Sequence, residues 1–223
     1  MKLLASISAA ALASMGVASA AVIDFENFAT GTDLTTLGVI AVPGAPGVTY
    51  TVSVSGPNDN SALIFDTGLS GTADPDLEAP FDDPNTPAVE MFMPGKVLII
   101  GNNNGNLDDD PNGGIIELAF NQLLDFVSIN LFDTGDGGAQ VNITLSDGST
   151  EVYTGIGANL GDNEYTTFTF TGDTTAKVQS IQLTGSGAID EIVFNEITVS
   201  EPGVIGLFGL GLLGLGFAAR RRA

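Results

Sequence analysis

The 223-residue chain predicts an all-β fold, an antiparallel β-sandwich of jelly-roll type, on three observations. Val48, Tyr50, Val52 and Val54 alternate with Thr49, Thr51, Ser53 and Ser55, the period of two of a half-buried strand. Val141, Ile143 and Leu145 alternate with Asn142 and Thr144, then run through the turn signal Asp147-Gly148 into Glu151–Thr154, which reads as a hairpin. No stretch between residues 21 and 198 sustains a helical period.

The remaining strands follow from the same reading. Val22–Phe28 opens the domain, Ala62–Asp66 and Val97–Ile100 follow, and then Ile115–Phe120 and Phe126–Phe132. Tyr165–Phe170, Val178–Thr184 and Ile189–Val199 close it. Thr and Phe fill many of these positions, as a pleated surface with one buried face favours. About ten or eleven strands separated by turn signals imply two packed sheets. Residues 67–96 and 101–114 break the rhythm; both are rich in Asp, Pro, Asn and Gly and too long for simple turns. They read as surface loops, functional or mobile.

Composition excludes more than it selects. The chain has no cysteine, hence no disulfide and no thiolate chemistry, and no histidine, hence no Ser-His-Asp triad and no His-ligated zinc. Acidic residues number 27 against 6 basic ones, a formal net charge of −21. All the acids fall between Asp24 and Glu201, where only Lys96 and Lys177 are basic. Such a surface repels nucleic acid and attracts divalent cations. The expectation is a non-catalytic protein; a glycan-active hydrolase using a carboxylate pair is the alternative.

The two ends carry targeting signals. Lys2, the apolar run Leu3–Val17 and the small residues Ala18 and Ala20 around Ser19 have the layout of a signal peptide over residues 1–20, an N-terminal signal helix flanking the sandwich. A β-sandwich domain would then occupy 21–198. At the other end Glu201-Pro202 precedes an apolar stretch from Gly203 to Ala219, about 25 Å long as a helix, and then Arg220, Arg221 and Arg222. The arginines would remain cytoplasmic, leaving the domain on the far side of the membrane.

These ends together resemble the PEP-CTERM class of exported bacterial proteins, with the sorting signal and membrane helix at 199–223. Glu201 and Pro202 match the last two motif residues, and Ser200 stands where that class has its first proline. The resemblance implies a Gram-negative cell-surface or extracellular-matrix protein. Its C-terminal helix would sit in the inner membrane until a sorting transpeptidase acts on it.

Two acidic loops are candidate calcium sites, because calcium takes six to eight hard oxygens from carboxylates, amides and carbonyls. Asp74-Pro75-Asp76-Leu77-Glu78 with Asp82-Asp83 is one; Asn102–Asn104 with Asp108-Asp109-Asp110 is the other. The expected ligands are Asp74, Asp76, Asp108 and Asp110, although neither loop has the EF-hand spacing and solvated loops are the alternative. Ile64–Thr67, Asp74–Leu77, Gly95–Ile100 and Asp110–Gly114 resemble a pattern in other exported PEP-CTERM proteins, which implies that both loops form one unit. Asp24-Phe25-Glu26 and Gly187-Ala188-Ile189-Asp190-Glu191-Ile192 resemble the first and last strands of galactose-binding-like sandwiches. That resemblance implies neighbouring strands and a calcium shared by Glu26 and Asp190, with outward-facing carboxylates as the alternative. Weak polysaccharide binding would fall to Tyr50, Tyr153 and Tyr165, since there is no tryptophan.

Overall fold

The computed structural model describes residues 20–58, 61–88, 91–102, 106–135, 138–145, 147–171, 178–185 and 187–195. Its first strands are β1 (Ala21–Ile23), β2 (Ile40–Ala41), β3 (Thr49–Ser55), β4 (Ser61–Asp66) and β5 (Lys96–Gly101). Next come β6 (Ile115–Phe132), β7 (Ala139–Thr144), β8 (Thr150–Ile156), β9 (Tyr165–Thr169), β10 (Val178–Thr184) and β11 (Ala188–Asn195). Every ladder between them is antiparallel, and the sheets curl into a half-barrel. Helical geometry among the described residues is confined to 3-10 turns at Leu34–Thr36 and Pro75–Leu77.

β6 organises the molecule. Its first half lies between β3 and β10, with Tyr50 opposite Phe120 and Leu183 opposite Ile116. Its second half lies between β11 and β9, with Asp190 opposite Asn130 and Tyr165 opposite Phe132. The sequence pattern splits this stretch into two strands at the polar residues Asn121 and Gln122. The structure instead carries one 18-residue strand through them. The physical reason lies at Asn121, whose amide accepts from Thr49 N–H at 2.9 Å and donates to Gly47 O at 2.9 Å, tying β6 to the chain entering β3.

The apolar alternation explains which side chains meet inside. Tyr50 and Val52 of β3, Ile64 of β4, Leu98 and Ile100 of β5, Ile116, Leu118, Ile129 and Leu131 of β6, and Ile192 and Phe194 of β11 share the main core. The run Val97-Leu98-Ile99-Ile100 lacks alternation because β5 is buried on both faces. Val97 and Ile99 join Phe65, Leu77, Phe81, Phe132 and Ala188 in a second cluster.

That second cluster corrects the reading of residues 67–96 as a surface loop. Leu77 and Phe81 descend from the segment to complete burial, and Phe81 meets Phe132 edge-on at 4.9 Å between ring centres. Phe92 packs against Tyr165 at 4.8 Å. The segment is a cover over one face of the β4–β5–β11–β6–β9 sheet. Leu77→Ala should cost about 2–5 kcal/mol, the range for emptying a well-packed leucine site. Urea titration followed by tyrosine fluorescence measures this; a loss below about 1 kcal/mol would mean that the cover is not part of the core.

Both expected terminal helices, with Ala18, Glu201, Pro202, Arg220, Arg221 and Arg222, lie outside the described residues. Ala20 is exposed just ahead of β1. No helix among the described residues is long and apolar enough to cross a membrane.

Candidate cation site

The cover places carboxylates where three loops meet. Leu77, fully buried, pins the Pro75–Leu77 turn to the sheet and so holds Asp74 and Asp76 on either side of Pro75. Asp108 and Asp109 follow β5, Asp133 follows β6, and Asp162 lies between β8 and β9. Carboxylate oxygens of Asp74, Asp108 and Asp109 lie within 4.8 Å of one another. So do those of Asp76, Asp133 and Asp162.

Hydrogen bonds fix these positions. Asp109 N–H donates to Asp74 Oδ2 at 3.2 Å, and Gly187 N–H donates to Asp109 Oδ2 at 2.7 Å. Asn163, with φ +57°, donates from its amide nitrogen to Asp76 O at 3.0 Å and Glu78 O at 2.6 Å. Asp82 N–H returns a bond to Asn163 O at 3.0 Å. Asparagine tolerates this left-handed backbone better than most residues, which suits it to the clamp.

The electrostatics are unfavourable without a cation. Asp74 is 3% exposed, and Lys96 is the only basic residue among those described. Burial, a side-chain hydrogen bond with Asp76 and the charge of Asp109 push the Asp74 carboxyl up to about 8, against a smaller lowering by the Asp109 N–H. Like charges in low dielectric cannot all ionise unless something positive joins them.

The residues expected as ligands distribute unevenly. Asp74 and Asp108 share one cluster, and Asp76 belongs to the other. Asp110 stands apart from both, 1% exposed, accepting from Asn112 N–H at 2.9 Å, Asn112 Nδ2 at 3.0 Å and Asn58 Nδ2 at 2.7 Å. Asp133 and Asp162 escaped the sequence reading. Asp133 directly follows β6 and Asp162 lies in the β8–β9 connection, so only three-dimensional closure brings them together.

A third acidic junction lies where β1 and β5 meet the same edge of β11. Asp190 is 2% exposed, and its Oδ1 finds no hydrogen-bond partner; neither does the buried Oδ1 of Asp24. Burial raises the Asp190 carboxyl to about 8; the Glu191 N–H opposes this, while the charges of Glu191, Glu26 and Asp24 add to it. Glu26 is exposed, accepts from Lys96 N–H at 2.7 Å, and takes the Lys96 ammonium on its backbone carbonyl at 2.9 Å. Glu191, at φ +47°, forms a bulge that turns its own carboxylate toward Asn130 Nδ2 at 2.8 Å.

The tyrosines expected to meet a sugar are otherwise employed. Tyr50 is buried in the main core, Tyr165 packs into the second cluster, and Tyr153 rests against Phe168 at 4.9 Å. Tyr153 and Tyr165 thus both pack against core clusters.

An acidic all-β domain followed by a Glu-Pro break, an apolar run and three arginines defines an exported protein with a C-terminal address. Residues 198–222 match the PEP-CTERM protein-sorting motif. That signal is read by a processing protease or transpeptidase system, so the protein is exported, held transiently at the membrane and sorted to the surface. No curated protein matches the chain.

Proposed function

We propose that the protein is a non-catalytic component of a Gram-negative cell surface or extracellular matrix, stabilised by calcium and making weak polysaccharide contacts. The observation that carries the calcium reading is Asp74: a buried carboxylate joined by Asp108 and Asp109 within 4.8 Å, while Lys96, the only basic residue among those described, places its ammonium on Glu26 O. Calcium matches the hard oxygen set, and its variable coordination suits loops gathered from distant parts of the chain. Asp76, Asp133 and Asp162 supply a second set; at the Asp190 junction the charges of Asp24 and Glu26 add to the cost of ionising a buried carboxyl, which a cation would offset. A shared core between the two halves of β6 supports the sandwich of jelly-roll type as its scaffold. A hydrolase is less well supported. Clustered oxygens within 4.8 Å are closer than the carboxyl pairs of glycosidases, about 5–9.5 Å apart, and Asp74 is closed to a chain.

Thermal melts of the full chain in EDTA and then in millimolar calcium test this. Calcium should raise the melting temperature by several degrees, because a ligand of the native state stabilises by mass action. Asp74→Asn should match or exceed the parent in EDTA, since an amide is buried without the cost of protonating a carboxylate, yet lose most of the calcium response. Asp110→Asn should lower both melts equally, because its carboxylate anchors Asn58 and Asn112. Equal parent melts with and without calcium would sink the reading.

A further inference from the structure

A groove of about 480 Å³ opens between the turn at Pro84-Asn85 and the β8–β9 connection, floored by Thr166 of β9. None of the residues lining it carries a charge, which is notable on a chain with a net charge of −21. Gly155 and Gly157 expose bare backbone to it, while Ala158 offers a small apolar surface beside the Asn159 amide. The volume lies in the ~300–1,000 Å³ range of small-molecule sites.

Polar groups line it, two with unengaged side chains and one oriented by a hydrogen bond. Among the described residues the side chains of Asn159 and Thr166 make no hydrogen bond. Asn85 is oriented by its own amide nitrogen on Asp83 Oδ1 at 3.0 Å, which leaves its carbonyl oxygen as an acceptor. The opposite wall is rigid. Ala158 N–H bonds Gly155 O at 3.3 Å and Leu160 N–H bonds Gly157 O at 2.9 Å, and the Asn163 clamp follows directly.

We propose that this groove binds one or two sugar residues of a neutral polysaccharide. The unengaged Asn159 amide and Thr166 hydroxyl and the oriented Asn85 carbonyl match sugar hydroxyls, and the small apolar surface suits the C–H face of a ring. Asp82, Asp83, Asp162 and Glu164 in the flanking segments set a negative field that disfavours an anionic chain. A peptide is a poorer match, because the groove has no deep apolar pocket for an anchoring side chain. This rests on the reading of the protein as a surface component with polysaccharide contacts, and it locates those contacts away from the tyrosines.

Native gels of the full chain, in a detergent without a sugar headgroup, provide the test. Dextran, laminarin, galactomannan and alginate would be cast separately into the gel, each in EDTA and in calcium. Retardation is expected with at least one of the three neutral polymers and not with alginate. Asn159→Ala should weaken it roughly tenfold, and Ala158→Glu should abolish it, with melting temperatures unchanged. Absence of retardation by all three neutral polymers, equal retardation by alginate, or retardation indifferent to both substitutions would overturn the proposal. Retention without any calcium-dependent melt would leave the groove standing and remove the calcium reading alone.

Discussion

Gly187→Ala is expected to destabilise the protein by about 3–5 kcal/mol, a large part of the ~5–15 kcal/mol typical of a domain. Gly187 enters β11 at φ +102°, a backbone conformation that side chains rarely adopt. A β-carbon there would overlap the carbonyl oxygen of Phe132 and sit 2.8 Å from that of Asp133, both backbone atoms at the end of β6. Strain of about 1–3 kcal/mol adds to the displacement of those carbonyls. The damage extends to the candidate site, because Gly187 N–H holds Asp109 Oδ2 and Asp109 N–H holds Asp74. Urea titration by tyrosine fluorescence would give the stability, and a calcium titration of the same variant would show a weakened response. A loss below about 1 kcal/mol with full calcium response would mean that β11 can enter the sheet by another path.

Gly187 also shows where sequence reading stops. The run Gly187–Ile192 stands out in the sequence as a closing strand, and β11 forms there beside β1 as that reading expects. The need for glycine arises from the backbone of Phe132 and Asp133, more than fifty residues earlier, and nothing local reveals it. Strands were legible because alternation is local: β3, β4, β7 and β10 fall within a residue or two of their expected bounds. The cover was not, because Leu77, Phe81 and Phe92 are spaced without period between prolines and aspartates. Their apolar character was the available signal, and each one fills the second cluster or its margin. For the acidic loops, residue type pointed to the region while closure decided the partners: Asp76 joined Asp133 and Asp162, and Asp110 became an anchor.

The calcium-free protein should lose stability as pH rises from about 4 to about 8, opposite to the trend of a protein held by salt bridges. In the unfolded chain Asp74 and Asp190 titrate near the ordinary carboxylate value of about 3.9. In the folded chain both are raised to about 8, Asp74 by burial, its hydrogen bond with Asp76 and the charge of Asp109, and Asp190 chiefly by burial. The folded state therefore holds the protons more tightly. Their stabilising contribution is complete below about pH 4, declines through the interval, and is lost above about 8. Each group contributes at most about 1.4 kcal/mol per pH unit, less where water screens it. General repulsion at −21 net charge slopes the same way, but about 1 M salt screens exposed charges and leaves buried ones largely unaffected. Melts in EDTA and high salt between pH 5 and 8 should consequently still fall with pH, and the double variant Asp74→Asn with Asp190→Asn should flatten them. Calcium should flatten them as well, since a bound cation takes the place of the proton. A parent melting temperature that stays level or climbs with pH in EDTA would show that both carboxylates ionise freely in the fold. That result would also remove the electrostatic reason for a cation at either place.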